Sequence, residues 1–110
     1  MKVFKESDMI KGWFVGDFSP VCYNDKNCEV AVKRYKSGDY ESFHHHRVAT
    51  EITFIISGKV EMNGSIYSQG DIILIEPKEG TDFKALEDTI NVVVKVPSVK
   101  GDKYEGVCYE

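Results

Sequence analysis

The sequence predicts an all-β fold, and three observations carry the prediction. Short runs rich in Val, Ile, Thr, Tyr and Phe recur at close intervals, Gly, Asn, Asp, Ser or Pro interrupts them, and no stretch sustains a helical period. The sharpest local signal is Asn63-Gly64 between KVEM and SIY, because both central positions of a two-residue type I′ hairpin turn need positive φ.

In chain order, residues 3–4 read as a short strand whose partner lies near 13–15. The next strands are 29–36, 42–46, 51–57 and 59–62, followed by 65–67, 71–75, 82–86 and 90–96. Gly58-Lys59, Ser68-Gln69-Gly70 and Glu87-Asp88-Thr89 supply further tight turns, spaced as an antiparallel sandwich or barrel requires. The stretch GWFVGDFSP at 12–20 is apolar, glycine-rich and too irregular for a regular strand, so it is expected to cross the barrel mouth or meet a second subunit. The polar tail 97–110 is expected to wrap the surface or reach a partner.

A length of 110 residues suits one domain able to bury about two-thirds of its unfolded surface. The expected division is a core barrel over 29–96, an N-terminal arm over 1–28 and the tail. A formal charge of −4 with scattered lysines offers no basic stripe for nucleic acid. The apolar runs are far shorter than the roughly 20 residues of a membrane helix, so no membrane partner is expected. The N-terminus lacks the apolar segment and cleavage site of a secretory signal, which makes a cytoplasmic location the expectation. Cys22, Cys28 and Cys108 are odd in number and form no CxxC pair, which reads as free thiols.

Ligand-type chemistry is concentrated in Gly38-Asp-Tyr-Glu-Ser-Phe-His44-His45-His46-Arg-Val-Ala-Thr-Glu51, which holds every histidine of the chain. On a strand, side chains alternate between faces, so His44 and His46 point one way and His45 the other. Glu51 opens the next strand after a short turn, and a hairpin return brings its carboxylate beside the imidazoles. Two nitrogens and one oxygen suit Fe, Mn, Ni, Co, Zn or Cu, and the sequence does not choose among them; a site without metal is the alternative.

The spacing is Gly38, five residues, His44, one residue, His46, four residues, Glu51, six residues, Gly58. In this it resembles the first motif of the cupin superfamily, over roughly residues 29–96. The resemblance implies a double-stranded β-helix (jelly-roll) barrel with a metal on its inner face, and pairing as a homodimer with Trp13, Phe14 and Phe18 at the interface. The family's second motif is broken: Gly70 opens it, but Pro77 and Gly80 are displaced, and Phe83 stands where the family has its fourth ligand, a histidine. Three readings of Phe83 follow: a three-ligand site with open positions, a replacement ligand from Glu76, Glu79 or Asp82, or a barrel that no longer binds metal. The first is preferred, because open positions let an ion meet substrate directly.

Arg34 enters the cavity and can clamp a substrate carboxylate or phosphate if Val30 and Val32 line the barrel. Tyr23, Tyr35 and Tyr67 are each able to serve as a general acid, and nothing singles one out. His45 is expected at the surface or between strands.

Three functions compete. The first is a metal-dependent oxygenase, isomerase or lyase acting on a small oxygenated metabolite or sugar derivative. The second rests on the stretch Phe43-His44-His45-His46-Arg47, which resembles the FHxHK stretch of small cupins that isomerise nucleotide-linked keto sugars without metal; His44 or His46 then acts as general base. The third is a non-catalytic barrel that binds a small-molecule ligand.

Overall fold

The structure, a computed structural model, describes residues 1–109. A short 3-10 helix at Glu6–Asp8 precedes eleven strands among the described residues: β1 (Trp13–Gly16), β2 (Tyr23–Asn24), β3 (Glu29–Tyr35), β4 (Tyr40–His45), β5 (Thr50–Ser57), β6 (Lys59–Met62), β7 (Ser65–Ser68), β8 (Ile72–Ile75), β9 (Gly80–Ala85), β10 (Thr89–Val96) and β11 (Tyr104–Glu105). One sheet runs β2-β1-β3-β10-β5-β8 and the other β11-β4-β9-β6-β7. Only β1 and β2 pair in parallel; the remaining ladders are antiparallel. Among the described residues no helix is long and apolar enough to cross a membrane.

The hairpin turn forms as its sequence requires. Met62 pairs with Ser65, and Asn63 and Gly64 take φ of 49° and 77°. Residues 3–4 are not a strand, which corrects the sequence reading. β1 is paired on both sides, by β2 and β3, so no edge remains there for them. Residues 13–16 form a strand whose pairing with β3 shifts register between Trp13 and Val15, and β2 and β11 were not anticipated. Both are two-residue strands too short to show a period.

Alternation along the strands divides the barrel interior in two. At one end Ile55, Val60, Met62, Ile75, Phe83 and Ala85 pack as a buried cluster with Tyr35, Tyr67 and Ile73 against it. The inner positions nearer the other end are mostly polar, with Glu51 and Thr53 on β5, Asn91 and Lys95 flanking Val93 on β10, and Thr81 on β9. The apolar end supplies the driving force, roughly 1.5–3 kcal/mol for each fully buried aliphatic side chain. That lets the other end carry groups that contribute little to folding.

Gly58 closes the turn between β5 and β6 at φ +99°, and a Cβ there would lie 2.3 Å from Thr89 Oγ1 and 2.5 Å from the Asp88 carbonyl. Both the conformation and the space exclude a side chain. Gly58→Ala is therefore expected to destabilise the protein by about 2 kcal/mol or more, read as a lowered urea midpoint with an unchanged slope.

Candidate functional site

β4 reaches the cavity through a bulge. Glu41 stands opposite Phe83 and His44 opposite Thr81, so three steps on β4 match two on β9. The extra residue turns both Glu41 and His44 inward, and His46 follows just beyond the strand end. Glu51, at the start of β5, faces Lys95 across the ladder with β10. His44, His46, Glu51 and Phe83 thus share the wall of one cavity of about 240 Å³, together with Tyr35 and Glu41.

The two inward histidines are held alike. His46 Nδ1 donates to the main-chain oxygen of Asp102, and His44 Nδ1 donates to that of Ser42 at 2.9 Å. A carbonyl only accepts, so each ring carries a proton on Nδ1, and it is Nε2 that presents a lone pair in the neutral form of either ring. His46 Nε2 lies 3.3 Å from Glu51 Oε1 without the alignment of a hydrogen bond, and it is buried and unpartnered. Thr53 Oγ1 donates to the other Glu51 oxygen at 3.3 Å.

Asp102 fixes this arrangement from the tail. Its carboxylate accepts from the main-chain N–H groups of Arg47 (2.9 Å), Val48 (3.2 Å) and Ala49 (2.9 Å), the turn joining β4 to β5. Burial opposes ionisation of the Asp102 carboxyl, but these three amides, aided by His46, hold it below the ordinary value. Burial likewise opposes ionisation of Glu51, and contact with His46, then Lys95 and His44, keeps it below the carboxylate range. Tyr35 shows the reverse. Burial first, and then Glu41, which accepts from its hydroxyl at 2.8 Å, push its pKa well up, so Tyr35 keeps its proton and serves as a fixed donor rather than a ready acid.

Several expectations need correction. Arg34 does not enter the cavity: it is exposed, and its guanidinium makes two hydrogen bonds to Glu6, at 2.9 and 3.0 Å. The opposite face of β3, with Lys33 and Tyr35, lines the interior, because Val32 is covered instead by Gly12 and its neighbours in the N-terminal arm. His45 takes the second of its two expected places, between strands and away from the cavity. It is 1% exposed, donates from Nδ1 to the Gly106 carbonyl at 2.7 Å, and stacks on Tyr104, whose ring also lies 4.0 Å from the Arg47 guanidinium.

None of Glu76, Glu79 and Asp82 lines the cavity, so none replaces a ligand there; Glu79 caps the Glu76 N–H and Asp82 the Asn63 N–H. Trp13 lines the cavity and meets Phe18 edge-on at 6.5 Å within the chain. Tyr23 and Tyr67 do not line this cavity, which leaves Tyr35 alone of the three candidate tyrosines. Sequence reasoning missed Glu41, Lys33, Lys95, Asn91 and Asp102. Period-2 alternation on β10 was the available signal for Asn91 and Lys95.

The donor set fits a transition ion in its chemistry. Two ligands about 2.1 Å from one ion at tetrahedral or octahedral angles stand roughly 3.0–3.4 Å apart, so His46 Nε2 and Glu51 Oε1 have the spacing of a ligand edge. The backbone bond on Nδ1 is the support that metal-binding histidines use. His44 stands further off, with its ring centroid 5.5 Å from that of His46. Among the described residues no three His, Cys, Asp or Glu side chains converge closely enough to enclose an ion.

Two facing sheets rolled around an inner cavity define a double-stranded β-helix barrel. No family model and no curated protein matches the chain. Solved structures do. An uncharacterised protein with a double-stranded β-helix domain from Klebsiella pneumoniae superposes with TM-score 0.68 at 23% identity, over 76% of this chain and 73% of that one. DMSP lyase DddQ from Ruegeria pomeroyi superposes with TM-score 0.69 at 19% identity, over 84% of this chain but 49% of its own. An RmlC-like cupin from Shewanella frigidimarina gives TM-score 0.63 at 15% identity, over 68% and 70%. The chain has the cupin fold.

Asp102→Ala removes an ionised acceptor from three amides and is expected to cost about 2–4 kcal/mol in urea unfolding. The pH dependence has a definite sign. Glu51 and Asp102 both have folded pKa values below their unfolded ones, so their stabilisation is complete above about pH 5 and is lost as pH falls through the folded values. The urea midpoint should fall as pH drops below about 5, and the fall should be shallower in Asp102→Asn.

Proposed function

We propose that the protein is a metal-binding cupin acting on a small oxygenated metabolite or sugar derivative, with His44, His46 and Glu51 as the metal ligands. One observation carries this reading: His46, tied through Nδ1 to the Asp102 carbonyl, turns a buried, unpartnered Nε2 toward an ionised Glu51. A buried imidazole nitrogen without a partner is unfavourable unless something else takes its lone pair. When bound, a divalent transition ion supplies a Lewis acid for an oxygen of the ligand. The solved structures of the same fold include a lyase acting on a small metabolite, which supports the class of substrate.

The chain's own groups have distinct parts in this scheme. His44 and Glu51 flank His46, and the Asp102 carbonyl fixes the His46 tautomer. Phe83 keeps water from the inner wall, where its ring packs on Tyr35 with centroids 4.5 Å apart. The Tyr35 hydroxyl, locked to Glu41, stays protonated and orients the Glu41 carboxylate at the cavity wall.

A second reading has its own observation. The Asp102 carbonyl orients His46 through Nδ1 and leaves Nε2 free to take a proton, and proton transfer by His46 needs no metal. Metal analysis of untagged protein purified without chelator separates the two. The metal reading expects close to one ion per chain in the wild type and its loss in both His46→Ala and Glu51→Ala. Less than about a tenth of an ion per chain would favour the metal-free base. Phe83→His, which restores a nitrogen donor on the same wall, is expected to slow metal loss to a chelator by about tenfold or more.

A further inference from the structure

The cavity is basic at its mouth although the chain as a whole carries a formal charge of −4. Lys11, Lys33, Lys95 and Lys103 all reach its wall. They come from four places: the loop before β1, β3, β10 and the segment that follows Asp102. Trp13 lies among them, with Lys95 Nζ 5.0 Å and Lys33 Nζ 5.8 Å from its ring centroid. Lys33 Nζ donates to the Lys11 carbonyl at 3.1 Å, and among the described residues none of the four ammonium groups forms an ion pair.

The two carboxylates in the cavity are already engaged, Glu41 by Tyr35 and Glu51 beside His46. The positive charge at the mouth is therefore left without a bonded counter-charge. Burial first, and then Lys11, Lys95 and Lys103, push the Lys33 ammonium below its ordinary pKa against the opposing pull of Glu41. A second observation is independent of the lysines. Asn91, 1% exposed and on the same wall, has an Oδ1 with no hydrogen-bond partner, which marks a cavity built for a polar occupant.

Size and chemistry narrow the ligand. The volume of about 240 Å³ lies below the roughly 300–1,000 Å³ of pockets for drug-sized molecules. Two of the structures that most often cradle phosphate groups are the bidentate arginine fork and the helix N-terminus. No arginine lines this cavity, and the described residues contain no α-helix. We infer that the cavity binds a small organic carboxylate, held by Lys33 and Lys95 beside Trp13. This names the substrate class and rests on the proposed reading only in taking the cavity as the reactive site; it does not require the metal.

Trp13 is the chain's single tryptophan, so its fluorescence reports on this site directly. The experiment titrates the full chain, as purified and after chelator dialysis, with malonate, its neutral analogue malonamide and inorganic phosphate, and calorimetry repeats each titration independently of the fluorophore. Malonate should bind saturably, more weakly as salt rises, and malonamide should not bind in the same range. Lys33→Met and Lys95→Met should each weaken malonate by about five- to tenfold, with Lys33→Arg near wild type.

Chelator-treated wild type should still bind malonate, which keeps this test separate from that of the metal. Equal binding of malonamide, undiminished binding by both methionine variants, or loss of malonate binding in chelator-treated wild type would overturn the inference. Phosphate binding tighter than malonate would overturn the choice of carboxylate.

Discussion

The Asp102 carboxylate gathers three main-chain amides of the turn between β4 and β5, and the whole polar end of the barrel is placed by that contact. Hydrogen bonds to an ionised acceptor contribute about 1.5–3 kcal/mol each, more than most turns receive from their own sequence. The same residue's carbonyl sets the His46 tautomer. Turn position and imidazole orientation are thus fixed by two ends of one residue. Glu51 then falls opposite His46 because β5 starts where the held turn releases the chain.

The interior shows how a small barrel accommodates this. Apolar residues at one end bury area, while the other end keeps ionised and unpartnered groups that no stability argument would select. Met62, Phe83 and Tyr35 belong to both regions, lining the cavity and packing on the core. They form the boundary between the part that folds the chain and the part left free for chemistry. Phe83 makes that boundary apolar.

Much of this was legible in the sequence because the information was local. The spacing from Gly38 to Gly58 lies within one hairpin and its flanks, so a period of two and a turn suffice to bring His44, His46 and Glu51 to one wall. What failed was set by distant parts of the chain. Arg34 and Lys33 are neighbours on one strand, and alternation alone does not tell which face is inside; the covering of Val32 by the N-terminal arm decides it. Glu41 was hidden by the bulge, which breaks the alternation that would have pointed it out. His45 and Asp102 depend on a tail that returns across more than fifty residues.

The two residues of β11 have a further consequence. β4 would otherwise be the outer strand of its sheet, offering a row of free N–H and C=O groups next to three consecutive histidines. Such an edge is a template for strands of other molecules. Tyr104 and Glu105 occupy part of it by pairing with His45 and His44, and the ring of Tyr104, held between His45 and Arg47, blocks the approach. The segment that orders the cavity from behind therefore also covers the part of its strand's edge that carries His44 and His45.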